Sequence, residues 1–227
     1  DMEQVFLHSV DYLTTNFKGC SYLAGFYEHD MASALWELSG EDALLDAYRK
    51  ELALHGKTPD EMKPVVRITT SDTGSGGANI FPMLVSGKEN TTISLGSPLR
   101  LGHRNGTKLS EFDDQLKLLY GKYQLAAGNL VKLLKIEVMN PVNCMKGVMD
   151  KLGIARKYAA EAVDLFRAQY GEDPCTAHDI YFGISEILYM LACEGEEGGR
   201  IARMEETIAR ALSVNWTEYD IPGIYKW

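Results

Sequence analysis

The residues Val65–His103, VVRITTSDTGSGGANIFPMLVSGKENTTISLGSPLRLGH, differ in character from everything on either side. They are rich in β-branched side chains and glycine, whereas the flanks carry apolar residues at helical spacing. Val65–Thr69, Ile80–Val85, Thr91–Leu95 and Leu99–Leu101 read as strands. Gly74, Gly76 and Gly77 form a loop between the first two, and Ser86–Asn90 is a polar hairpin connection. Pro82 inside the second strand predicts an edge position or a bulge there, because proline cannot donate to a ladder. The expected fold is therefore α+β: a small antiparallel or mixed sheet over residues 65–102, covered by a majority of α-helices. So small a sheet needs that cover to be stable.

Composition agrees. Of 227 residues, 45% are hydrophobic and 24% charged, which is the balance of a globular chain able to bury a core. No apolar run reaches the ~18 residues that span a bilayer, so no membrane partner is expected. A net charge of −9 excludes a surface that is one continuous nucleic-acid footprint, but leaves room for a local basic patch. Cys20, Cys144, Cys175 and Cys193 lie far apart with no Cys-x-x-Cys pair, and are expected to be reduced, buried thiols of a cytoplasmic protein.

Along the chain, Met2–Phe17 has helical periodicity, Gly19-Cys20-Ser21 breaks it, and Met31–Leu38 reads as a short amphipathic segment. Ser39 with Asp42 has capping-box spacing for a helix from Gly40 to about Leu54, and Thr58 with Glu61 repeats the pattern. Ser110 with Asp113 is expected to cap a long helix through Leu134, and Asn140-Pro141 to open another ending at Gly153. Ala155–Tyr170 follows. Thr176 with Asp179 is expected to cap the helix bearing Ile180, Ile184, Ile187 and Leu191, and Arg200–Leu212 is the last. The aromatic tail Trp216–Trp227 is expected to dock on its own core rather than to form an interface. The whole reads as a single domain over 1–227, with residues 1–63 a candidate helical N-terminal lobe.

Three places carry candidate chemistry. Asp72-Thr73-Gly74 is the triplet of aspartic proteases, but one copy would need a symmetric dimer, and those enzymes are almost wholly β; an Asx-turn is the simpler reading. The same loop can hold an anion, since consecutive amides in a glycine-rich turn form a nest. The candidate ligand-binding set is Arg67, Ser71, Asp72, Gly74, Gly76, Gly77, Arg100, His103 and Arg104. Cys175, His178 and Asp179 bring together a thiol, an imidazole and a carboxylate, but Thr176 and Asp179 already serve as a cap. No metal motif is present and no cofactor is expected.

Three stretches, VVRITTSDTGSGGANIFPML, CTAHDIYFGISEI and MEETIARALSVNWTEYDIPG, resemble uncharacterised phage and plasmid-like proteins of bacteriophage and prophage genomes. The resemblance runs from about Val65 to the C-terminus. It brings no catalytic residues; it implies a bacterial cytoplasmic setting and a role in phage DNA metabolism. The expected function is that of a non-enzymatic binding protein, with nucleic acid or a phosphate-bearing ligand as candidate partner and a homo-oligomer as candidate assembly. The alternative is a small enzyme using loop 71–79 as a phosphate or nucleotide site.

Overall fold

The computed structural model describes residues 2–28, 31–58, 62–71, 77–86, 91–101 and 109–227. Among them helix well outweighs strand. An antiparallel sheet contains β1 (Cys20–Glu28), β2 (Met31–Leu38), β3 (Met62–Ser71), β4 (Ala78–Ser86) and β5 (Thr91–Ser94) in that order, with β6 (Leu99–Leu101) also on β4. The helices are α1 (Met2–Asn16), α2 (Asp46–Leu54), α3 (Leu109–Lys117), α4 (Leu119–Leu134), α5 (Pro141–Leu152), α6 (Arg156–Tyr170), α7 (Ala177–Cys193) and α8 (Gly198–Ala209). Two short strands, β7 (Glu137–Val138) and β8 (Cys175–Thr176), pair at the entry to α7.

The α+β expectation holds, but the sheet is larger than residues 65–102. The short amphipathic segment Met31–Leu38 is a strand, and Cys20–Glu28 pairs with it from Cys20↔Leu38 to Glu28↔Met31. Residues 1–63 therefore do not form a helical lobe: their hairpin is part of the one sheet. β1 is an edge with Tyr22 and Tyr27 exposed, and a register shift between Tyr22 and Ala24 interrupts it. Such bulges discourage strand addition at an open edge.

The sheet has two apolar faces. Val66, Ile68, Ile80, Leu84 and Ile93 join the main core with the buried sides of α1, α4 and α7. The Tyr123 hydroxyl of α4 donates to the Met83 carbonyl and accepts from the Val65 amide. Leu35, Val65, Phe81, Met83 and Val85 form a second cluster on the opposite side, where α8 packs. Two glycines let α8 come close: a Cβ at Gly198 would meet the Phe26 ring at 2.6 Å, and one at Gly199 the Glu28 carboxylate at 2.5 Å. That carboxylate accepts from the Gly199 amide. Deeper in, the largely covered Arg67 of β3 is ion-paired with the buried Glu205 of α8, and Thr92 of β5 donates to the same carboxylate.

Pro82 lies in β4, which is not an edge: β3 lies on one side and β5 and β6 on the other. The predicted irregularity appears in the neighbouring strand instead. β5 pairs with Met83–Ser86 and β6 with Ala78–Ile80, so pairing lapses opposite Phe81 and Pro82. The Pro82 carbonyl still accepts from Leu95, which aims the proline nitrogen, with no hydrogen to give, at the same side. There the chain leaves the sheet through Gly96 (φ +154°), Ser97 and Pro98 before rejoining at Leu99.

Several caps differ from the sequence reading. Ser39 donates to the Gly19 carbonyl instead of capping, and the helix it was expected to open begins as a 3-10 turn at Asp42. Ser110 lies within α3, and the long helix is broken at Leu118. The Thr58–Glu61 box extends outside the described residues. The α5 start at Pro141 and its stop at Gly153 (φ 74°) are as expected. The tail docks: Trp216 is buried, Tyr219 packs on Gly147, and Asp220 accepts from the Met139 and Asn140 amides.

The Thr176 cap forms in full. Its hydroxyl meets the Asp179 amide at 3.4 Å, and the Asp179 carboxylate accepts from the Thr176 amide at 3.1 Å. Thr176→Ala is expected to cost about 0.5–2 kcal/mol of stability in chemical denaturation. Glu205→Ala is expected to cost more, about 3–5 kcal/mol, because it leaves the Arg67 charge largely covered and unpaired; replacing both partners with apolar residues is expected to cost much less.

Candidate functional site

The predicted anion loop is only partly described. Asp72, Gly74, Gly76, His103 and Arg104 lie outside the described residues. Ser71 is buried at the end of β3, and Gly77 is half-buried just before β4. Arg67 is engaged elsewhere, by Glu205 of α8. It sits mid-strand opposite Leu35 and Phe81, and its charge is committed to Glu205. Burial pushes its guanidinium down to about 10, which leaves it charged at neutral pH. Arg100, opposite Asn79 on the same face as Arg67, also turns to α8, where it pairs with Glu206 at 3.3 Å.

Arg100 instead belongs to a cleft that the sequence reading missed. It lies where the Gly96–Pro98 excursion faces α8, has a volume of about 290 Å³, and is lined by Arg100, Arg203, Arg210, Glu206, Ser97 and Thr207 over a floor that includes Phe81. The spacing of Arg203, Glu206, Thr207 and Arg210 (i, i+3, i+4, i+7) puts all four on one face of α8 and the turn after it. Ala202, Glu205 and Ile208 occupy the buried face. Arg210 donates to the Leu152 carbonyl at 3.2 Å. The Arg203 guanidinium has no partner among the described residues. Three guanidinium groups against one carboxylate leave a local excess of positive charge on a chain whose net charge is −9.

Such a group of guanidinium side chains can hold an anion. Guanidinium forks match the geometry of phosphate and carboxylate oxygens. The signal was present in the sequence as the Arg203–Arg210 stripe, but an exposed helix face alternating Arg and Glu reads the same way, and nothing local ties it to Gly96 or Arg100.

A second cluster lies between α2 and α7. The Tyr48 hydroxyl and His178 Nε2 are 2.6 Å apart, Lys57 reaches Asp179 at 2.5 Å, and His178 stacks on Phe182. His178 Nδ1 lies 3.8 Å from the Asp179 carboxylate. Burial holds the Cys175 thiol up at about 12, so at neutral pH it is not a thiolate. Its geometry is that of a capped helix start and gives no nucleophile. Among the described residues no group of three or more His, Cys, Asp and Glu side chains could hold a metal ion.

The cluster does titrate. Burial pushes His178 below its usual range. Burial alone would raise the Asp179 carboxyl, but His178, Lys57 and Thr176 together hold it well below the ordinary value. Both folded-state values are depressed, so both contributions are present above the unfolded-chain value and are lost as pH falls. Stability is expected to drop between about pH 7.5 and pH 5.5 as the unfolded chain takes up the His178 proton first. His178→Gln should flatten that part of the profile; denaturation midpoints of the two proteins at the two pH values are the check.

No family model matches the chain, and no curated protein or solved structure matches it either.

Proposed function

We propose that this chain is a non-enzymatic binding protein of phage or prophage type that holds a phosphate-bearing ligand in the cleft between Gly96–Arg100 and α8. The observation that carries the proposal is Arg203: a guanidinium with no partner among the described residues, facing a cleft shared with Arg100 and Arg210. A guanidinium with no direct partner among the described residues, in a cleft with two further cations and one carboxylate, is stabilised by an anion from solution. The non-enzymatic part rests on the Cys175–His178–Asp179 group, whose thiol is held protonated and whose carboxylate is occupied by Lys57 and Thr176.

A volume of about 290 Å³ lies at the small end of the ~300–1,000 Å³ typical of small-molecule sites. That size favours a compact phosphorylated molecule over a polynucleotide track, which needs a long groove with stacking surfaces.

Titration with inorganic phosphate, followed by backbone amide resonances, is the test. Saturable shifts at Ser97, Arg203 and Thr207, weakening as salt rises, are expected. Arg203→Ala should lower the affinity by about three- to tenfold, consistent with loss of an exposed charge-assisted contact. Arg100→Ala should have a smaller effect, because Glu206 already engages that side chain. No shift in the cleft at millimolar phosphate would end this reading. Tight, steeply salt-dependent binding of DNA in a gel-shift assay, insensitive to Arg203→Ala, would move the function to nucleic acid at another surface.

A further inference from the structure

Glu206 is out of place in a site for a bare anion. Its carboxylate sits among three arginines and repels whatever they attract. Pairing with Arg100 does not explain it, because the contact is long, at 3.3 Å, and well exposed, with side-chain exposures of 64% and 42%; such pairs contribute little. Only one of its oxygens takes part: Arg100 meets Oε2, and Oε1 has no partner among the described residues. A carboxylate accepts hydrogen bonds and donates none, while the arginines donate and accept none. A ligand that satisfies both must carry an anionic acceptor at one end and neutral donors at the other.

The rest of the cleft agrees. Thr207 donates its hydroxyl hydrogen to the Arg203 carbonyl at 3.0 Å, which leaves its oxygen free to accept, and Ser97 adds a second hydroxyl. Phe81 and Pro98 supply an apolar wall of the kind that the C–H face of a sugar ring packs against. The adjoining niche under α8, bordered by Met31, Phe81 and Met83, has a volume of only about 20 Å³. That is room for one water molecule and none for a nucleobase.

We infer that the ligand is a small phosphorylated polyol, such as a sugar phosphate, whose phosphate pairs with Arg203, Arg100 and Arg210 and whose hydroxyls donate to the Glu206 carboxylate. This rests on the phosphate reading proposed above and adds the neutral half of the ligand.

Three probes separate the two halves: inorganic phosphate, methyl phosphate and ribose 5-phosphate, each titrated into the full chain and into Glu206→Gln. The wild type is expected to bind ribose 5-phosphate more tightly than methyl phosphate, which has the ester but no hydroxyls. Glu206→Gln is expected to tighten inorganic phosphate about two- to fivefold by removing the like charge, and to weaken ribose 5-phosphate about threefold or more by removing the charged acceptor. These opposite shifts support the inference. Equal affinity of the wild type for methyl phosphate and ribose 5-phosphate overturns it while leaving phosphate binding intact, and needs no variant. So does a Glu206→Gln protein in which both affinities move the same way. Failure of all three probes to bind the wild type overturns the inference together with the phosphate reading.

Discussion

The ion pair between Arg67 and Glu205 is the constraint on which the second half of the architecture depends. Both side chains are largely covered between the sheet and α8, where either charge alone would be strongly unfavourable. Each therefore requires the other, and α8 has one position in which Glu205 reaches both Arg67 and Thr92. The next residue, Glu206, then points outward to Arg100. One helix thus sends adjacent carboxylates to two arginines on the same sheet face, one beneath the helix and one at an exposed cleft. The first fixes the helix and the second equips the surface.

The cleft itself follows from a missing hydrogen. Pro82 gives β4 no amide to donate toward β5 and β6, and the chain opposite it swings away through Gly96, whose φ of +154° disfavours a residue with a side chain. The gap in pairing becomes a wall of the cleft, and Phe81, beside the proline, becomes part of its floor. A backbone irregularity in one strand, a pair of close-packed glycines at the start of α8 and a buried charge thus combine to place three arginines together. None of the three features binds anything by itself.

Much of the fold was legible in the sequence, and the exceptions share a physical cause. β3 to β6 were visible because Val, Ile and Thr dominate them and turn residues bound them. β1 and β2 were not: Met31-Ala-Ser-Ala-Leu-Trp-Glu-Leu contains good helix formers, and only its position between two other strands makes it extended. The Thr176 box was legible because its partners are three residues apart. Ser39 and Ser110 have the same spacing, but Ser39 bonds to the Gly19 carbonyl, a contact no local pattern reveals. At the candidate site Arg100 was legible as a ligand-binding candidate, but its place in the cleft beside α8 was not. Arg67 was assigned to a ligand because its exposure could not be read, and burial gave it a different task. Arg203 and Arg210 were not legible as candidates, because the strand excursion that borders their cleft lies far from them in sequence.

The long separation has a kinetic side. The hairpins β1–β2 and β3–β4 pair residues close in sequence, so they can form early and at little entropic cost. Their second face, with Leu35, Phe81 and Met83, waits for α8, whose Glu205 lies 113 residues beyond Thr92. Until that helix arrives, a folding chain presents a broad apolar sheet surface with an unpaired guanidinium in its middle. The charge has a use at that stage: it keeps the uncovered face partly hydrated and opposes the sheet-to-sheet stacking by which such intermediates aggregate. Arg67 thus guards the face before Glu205 closes it.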